Sequence, residues 1–381
     1  MSNRVSWIRK LCLAAVPAVA FVSVSASIAD EAGTLRIGQS GEFSGQGVAK
    51  ENALGAQLYF DSVNKRGGVN GKQIALISLD DARDSERTIA NTKKLINEHK
   101  VLALFGYRST PSVEAVVPLI QAEGVPLIAP FTGAQSIRGP KAKMVYHLRA
   151  SYQTEAMRIV EHLASSSIKK IAILYQEDSF GEDALAGFQA SLKARGLQPV
   201  AVASYDRKTM DLKPAAAKLV KAEPQVIAMA CTPKACAQFV RMLKKDNVGV
   251  SFVTLSNTTT DEFLKAIDKE GRGVIISQVV PYPWNPISPV VKEFQQLLPT
   301  AKEPVPLSYA SLEGFVAAKL MVEAIRRAGR EPTRANLVAA LDSLPEIDLG
   351  GMTVDYKKNG TGDGSRFVDI TMIGKDGTII H

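Results

Sequence analysis

Chemically capable residues occur all along this 381-residue chain, but their spacing assembles no catalytic centre. Gly38, Gly41, Gly45 and Gly47 miss the G-x-G-x-x-G register. The G-G-V-N-G-K-Q run around Gly71 has neither the Walker spacing nor its Ser/Thr, and it leads into a strand instead of a helix. There is no G-x-S-x-G nucleophile elbow and no H-E-x-x-H pair. The four histidines, His99, His147, His162 and His381, are scattered singly and offer no metal-ligand cluster. Asp80, Asp81 and Asp84 stand where a strand gives way to a helix, a position for turn and capping carboxylates. Cys231 and Cys236, in C-T-P-K-A-C, have no neighbouring His to make a zinc site; the pair is either a local disulfide or two buried thiols.

What recurs is a kind of loop. Residues 41–47 (G-E-F-S-G-Q-G), 106–112 (G-Y-R-S-T-P-S) and 130–134 (P-F-T-G-A) each place Gly and a Ser or Thr hydroxyl at a strand end, close to a helix start. Glycine lets a ligand approach the backbone, and hydroxyls beside free helix N-terminal amides suit a carboxylate or another small anion. Ser44, Ser109, Thr110 and Thr132 supply such hydroxyls, and Arg108 adds a positive charge. Later in the chain 176–181 (Q-E-D-S-F-G), 231–234 (C-T-P-K) and 256–261 (S-N-T-T-T-D) occupy the same kind of position. Ligands of open parallel sheets collect outside the carboxyl ends of the strands, so the two loop sets predict a cleft that closes on a small molecule.

The elements that must carry these loops alternate. Strands at 35–38, from 73, at 101–105 and at 125–129 are interleaved with amphipathic helices over 49–65, 84–98 and 111–122. After a strand at 145–149 the alternation restarts. Helices over 152–164, 182–195, 213–221 and 234–245 now separate strands at 170–175, 199–204, 225–230 and 251–255. This is the βαβ pattern of parallel sheets covered by helices, so the fold class is α/β with two sheets. The P-Y-P-W-N-P stretch at 281–286 ends the second run. Helices over 289–298, 309–328 and 334–344 and a β-rich tail follow, too few strands for a third domain, so the chain must return to the first sheet. The expected division is a first lobe of residues 30–150 plus 280–347 and a second of 151–279 plus 348–381.

Composition removes other classes. At 46% hydrophobic and 22% charged the chain is an ordinary globular sequence. Its net charge of +8 is mild and its bases are spread, which argues against nucleic acid as a partner. Three of those bases, Arg4, Arg9 and Lys10, open a segment with no acid, followed by a short apolar run and small residues. This is the pattern of a secretory signal over residues 1–29, with cleavage after Ala29 or Ala26. Cys12 lacks the preceding small residues of a lipoprotein signal.

The strings G-A-Q-L-Y-F-D-S-V-N-K-R-G-G-V-N-G-K, L-D-D-A-R-D, A-L-F-G-Y-R-S-T-P-S, E-G-V-P-L-I-A-P, L-Y-Q-E-D-S-F-G and Y-A-S-L-E-G-F-V-A-A-K-L, in this order, resemble the leucine/isoleucine/valine-binding family of periplasmic solute-binding proteins. The resemblance implies a type I periplasmic-binding fold, with two doubly wound parallel-sheet lobes joined by three crossovers. It further implies a monomeric periplasmic protein, without cofactor or enzymatic activity, that closes on a ligand and delivers it to an ABC permease. A sensory protein presenting its closed form to a membrane receptor or kinase would use the same cleft.

By the same resemblance, the ligand carboxylate is held at Ser109, Thr110 and the segment Phe131, Thr132 and Gly133, and Ser44 lines the side-chain pocket. Phe180 keeps an aromatic of the second lobe, and Thr232 stands where the family has a tyrosine. Amino-acid binders of the family hold the ligand ammonium with an acid at the position where this chain has Ser256 or Asn257. An unpaired buried ammonium is costly. The expected ligand is therefore a small carboxylate, an amino acid or a related organic or aromatic acid, not necessarily carrying an ammonium.

Overall fold

Near-continuous aliphatic runs such as I-A-I-L from Ile171 and V-I-A-M-A from Val226 cannot leave either face to water, so their strands need helices on both sides. The computed structural model has that arrangement. It describes residues 33–44, 47–357 and 364–381, with Asp261 described by its backbone alone; the expected signal at 1–29 lies outside the described residues.

The first sheet is built by β1 (Thr34–Gly41), α1 (Val48–Lys65), β2 (Gln73–Asp80), α2 (Ser85–Asn97), β3 (Ala103–Phe105), α3 (Thr110–Ala122), β4 (Leu127–Ile128) and β5 (Val145–Tyr146). Its strands are all parallel, in the order β2-β1-β3-β4-β5. The second is built by α4 (Tyr152–Ser165), β6 (Ile171–Gln176), α5 (Ser179–Lys193), β7 (Ala201–Tyr205), α6 (Lys213–Val220), β8 (Val226–Ala230), α7 (Pro233–Lys245), β9 (Ser251–Thr254), α8 (Asp261–Ile267) and β10 (Ile275–Gln278). The chain then forms α9 (Pro289–Leu297), α10 (Tyr309–Arg327), α11 (Arg334–Asp342), β11 (Ile347–Asp348), β12 (Thr353–Val354), β13 (Asp369–Ile373) and β14 (Ile379–Ile380). The second sheet runs β14-β13-β10-β9-β8-β6-β7.

This is the expected α/β architecture with three refinements. β13 and β14 are antiparallel, so the second sheet is mixed at one edge. Helix α8 and strand β10 were not anticipated; both are short, and β10 runs into the Pro-rich stretch that masks its period. The strand expected over 145–149 stops at Tyr146 because the next residues leave the sheet, with His147 bonding Ile137 O and Arg149 entering a buried charge cluster.

The helices after residue 281 cover the first sheet. Helix α10 is buried almost all round, which explains its lack of a polar face. It crosses α1 at two glycines that permit backbone contact: a Cβ on Gly55 would lie 1.8 Å from Ser311 O, and one on Gly314 would lie 1.9 Å from Asn52 O. Ser308 caps α10 and also donates 2.6 Å to Glu51 Oε2 on α1. Leu349, Met352, Val354 and Tyr356 join this core, and β13 takes its place in the second sheet.

Candidate functional site

In both sheets the strand order reverses beside the first strand, between β1 and β3 and between β6 and β8. The loops leaving the carboxyl ends at such a point diverge and open a crevice. Here the two crevices face each other across one partly open cavity. Glu42, Arg108, Ser109, Thr110 and Phe131 line it from the first sheet; Asp178, Phe180, Arg207, Thr232 and Asn257 line it from the second.

On the first side, α3 begins at Thr110 without any side-chain cap, so its first-turn amides are not claimed by a capping side chain. Ser109 precedes it with φ 77°, a conformation that non-glycine residues adopt rarely and at a cost. Thr110 Oγ1 lies 2.7 Å from Thr132 Oγ1, which orients the Thr110 hydroxyl. The Arg108 guanidinium is held by no hydrogen bond or ion pair with a described residue. Burial, then the nearby Arg83, push its affinity for a proton down to about 10. Glu42 is paired with Arg83, and burial raises the Asp81 carboxyl, which accepts 3.0 Å bonds from Ser40 and Thr88.

On the second side Asp178 caps α5, accepting from Phe180 N and Gly181 N at 3.1 Å. Phe180 packs edge-to-face on Tyr152 with centroids 5.1 Å apart, giving the cavity an aromatic wall. Cys231 and Cys236 form a disulfide across the start of α7, which settles the alternative left open by their spacing. The Cys231 carbonyl accepts 3.0 Å from Asn257 Nδ2 and leaves Asn257 Oδ1 buried without a partner.

The profile of the periplasmic binding protein family matches residues 34–378, almost all of the described chain. The chain belongs to the periplasmic binding protein family. Among similar structures is a substrate-binding periplasmic protein from Ralstonia solanacearum, 34% identical, with a TM-score of 0.84 over 91% of this chain and 99% of that one. Another is a possible leucine/isoleucine/valine-binding protein from Rhodopirellula baltica, 28% identical, with a TM-score of 0.85 over 92% and 97% of the two chains. The Leu/Ile/Val-binding protein homolog 7 of Brucella abortus is 24% identical over 89% of this chain and 88% of its own. The fold is thus the type I periplasmic-binding fold, and membership implies a periplasmic or extracellular location.

In this periplasmic binding protein seven of the residues singled out from sequence come together at the cavity: Arg108, Ser109, Thr110, Phe131, Phe180, Thr232 and Asn257. Four do not line it. Ser44 is exposed and donates its hydroxyl to Asp80 Oδ2 at 2.6 Å. Thr132 is fully buried behind Thr110, and Gly133 packs so closely on Tyr152 that a Cβ would lie 2.7 Å from its backbone nitrogen. Ser256 is turned away, bonded through its hydroxyl to Arg149 and, at 3.1 Å, to Glu155 Oε1.

Sequence reasoning missed Arg207, Tyr152 and Arg149. The fully buried Arg149 guanidinium stacks 4.5 Å over the Phe131 ring and sits 3.4 Å from Glu313 on α10. Burial pushes the Glu313 carboxyl up to about 7, against the pull of Arg149. Arg149 lies on the segment between the two sheets, so it ties the first crossover to α10 and to the loop after β9. Its position directly after an apolar strand was the one signal available.

Proposed function

We propose that this protein captures a small organic acid between its two lobes and, as a monomer, hands it to an ABC permease. The observation that carries the reading is the unpaired Arg108 guanidinium beside Thr110 and the uncapped start of α3. A carboxylate there accepts from a hydroxyl, from helix amides and from a guanidinium at once. Opposite, where amino-acid binders of the resembled family carry an acid for the ammonium, stands Asn257 with a free amide oxygen. That oxygen accepts from a ligand hydroxyl or amide without the cost of desolvating a second charge. The cavity wall of Phe131, Tyr152 and Phe180 suits an aliphatic or aromatic body.

The role is binding and transfer, with closure as the signal the permease reads. Thermal unfolding against amino acids, aliphatic acids, aromatic acids, hydroxy acids and amides tests it. A ligand at 100 times its Kd adds about 2.7 kcal/mol of stability. Stabilisation by organic acids is expected; stabilisation by free L-amino acids alone would sink the reading.

A further inference from the structure

We propose that the ligand carries two anionic groups, one met by Arg108 on the first lobe and one by Arg207 on the second, with an apolar body between them. This rests on the reading of the cleft as an organic-acid site and names the class of acid. The argument is a charge account of the cavity wall. Three acids and three arginines line it. All three acids are already engaged by the protein. Glu42 is paired with Arg83; Asp81 takes Ser40, Thr88 and the Arg83 amide; Asp178 takes two helix amides and the Gln176 side chain.

The arginines are not so engaged. Arg83 has Glu42, whereas the Arg108 and Arg207 side chains make no hydrogen bond or ion pair with any described residue. They also feel each other: Arg207 is the last of the charges that lower the proton affinity of Arg108, after burial and Arg83, with Glu42 acting the other way. The two guanidiniums come from opposite sheets, line one cavity and have no ion pair of their own, so they repel each other across it. They oppose closure until something anionic lies between them. A monocarboxylate on Arg108 leaves Arg207 unmatched. A zwitterion brings a further cation towards both. A dianion satisfies each with a fork-shaped charge-assisted contact, and it makes closure itself depend on the second anionic group. The same cavity is lined by Phe131, Tyr152 and Phe180, so the body linking the two anionic ends is apolar.

The test is isothermal titration of the purified protein with matched pairs, hexanoate against adipate and benzoate against terephthalate, at fixed ionic strength. The dianion of at least one pair is expected to bind at least about tenfold tighter than its partner. Arg207→Gln should remove that advantage by weakening the dianion and strengthening the monocarboxylate, whose binding no longer faces an unmatched guanidinium, and Arg207→Lys should restore part of it. An unchanged melting temperature of the free variants shows that they fold. Dianions that bind no tighter than monoanions, or a Gln variant that weakens both alike, would overturn the proposal while leaving the organic-acid reading standing. Failure of every carboxylate to bind, with amino acids binding instead, overturns both.

Discussion

Ser179 Oγ donates a 2.6 Å hydrogen bond to Glu114 Oε2, joining the first turn of α5 on the second lobe to α3 on the first. Beside it the Gln135 amide donates 2.9 Å to Asp183 Oδ1, a second link between the same lobes. Neither pair needs the ligand. Under the proposed capture between closing lobes, such contacts favour the closed arrangement and contribute to affinity without touching what is bound.

Ser179→Ala should therefore lower ligand affinity about three- to tenfold, the worth of one partly exposed bond to a carboxylate. Titration calorimetry checks it. An unchanged Kd would mean that the contact plays no part in closure.

Thr110→Ala should weaken carboxylate ligands at least about tenfold, since it removes both a donor and the partner that orients Thr132. Thr110→Ser should retain most of the affinity. Equal Kd values for wild type and the Ala variant would remove Thr110 from the site.

Burial pushes the Asp183 carboxyl up to about 6, against the bond from Gln135 and the nearby Arg138, with Glu114 adding to the rise. The folded protein then holds this proton more tightly than the unfolded chain, whose ordinary value is 3.8. Asp183 accordingly favours the fold at low pH, and this contribution falls as pH rises from about 4 to about 6. Melting temperatures of the wild type and Asp183→Asn across that window should converge at the acid end. At the upper end the Asn variant should be relatively more stable.

Gly314→Ala should destabilise by more than about 3 kcal/mol. Its Cβ would meet the Asn52 carbonyl at 1.9 Å, and backbone cannot step aside as a side chain can. Denaturant midpoints give the value. A loss below about 1 kcal/mol would mean that α1 and α10 separate freely.

Much of the fold could be read in advance because its signals are local. The covered strands β6 and β8 are unbroken apolar runs, and α10 shows apolar residues on every side. β10 was lost because four residues before a Pro-rich stretch carry too little pattern. The site was legible at the level of loops: hydroxyls, glycine and arginine at strand ends named the right segments. Within those segments neighbours part company. Asn257 faces the cavity while Ser256, one residue earlier, is drawn away by Arg149 and Glu155, which lie about a hundred positions back in the chain.

The α/β alternation and the composition of the loops were readable from the chain alone, since each depends on residues close in sequence. Long-range packing brings Arg207 and Arg108 to one cavity, engages Arg149 with Glu313 and Phe131, and pairs the cysteines. Those outcomes turn on which groups distant in sequence compete for the same partner. The competition is resolved when the chain folds and burial makes every unpaired charge costly.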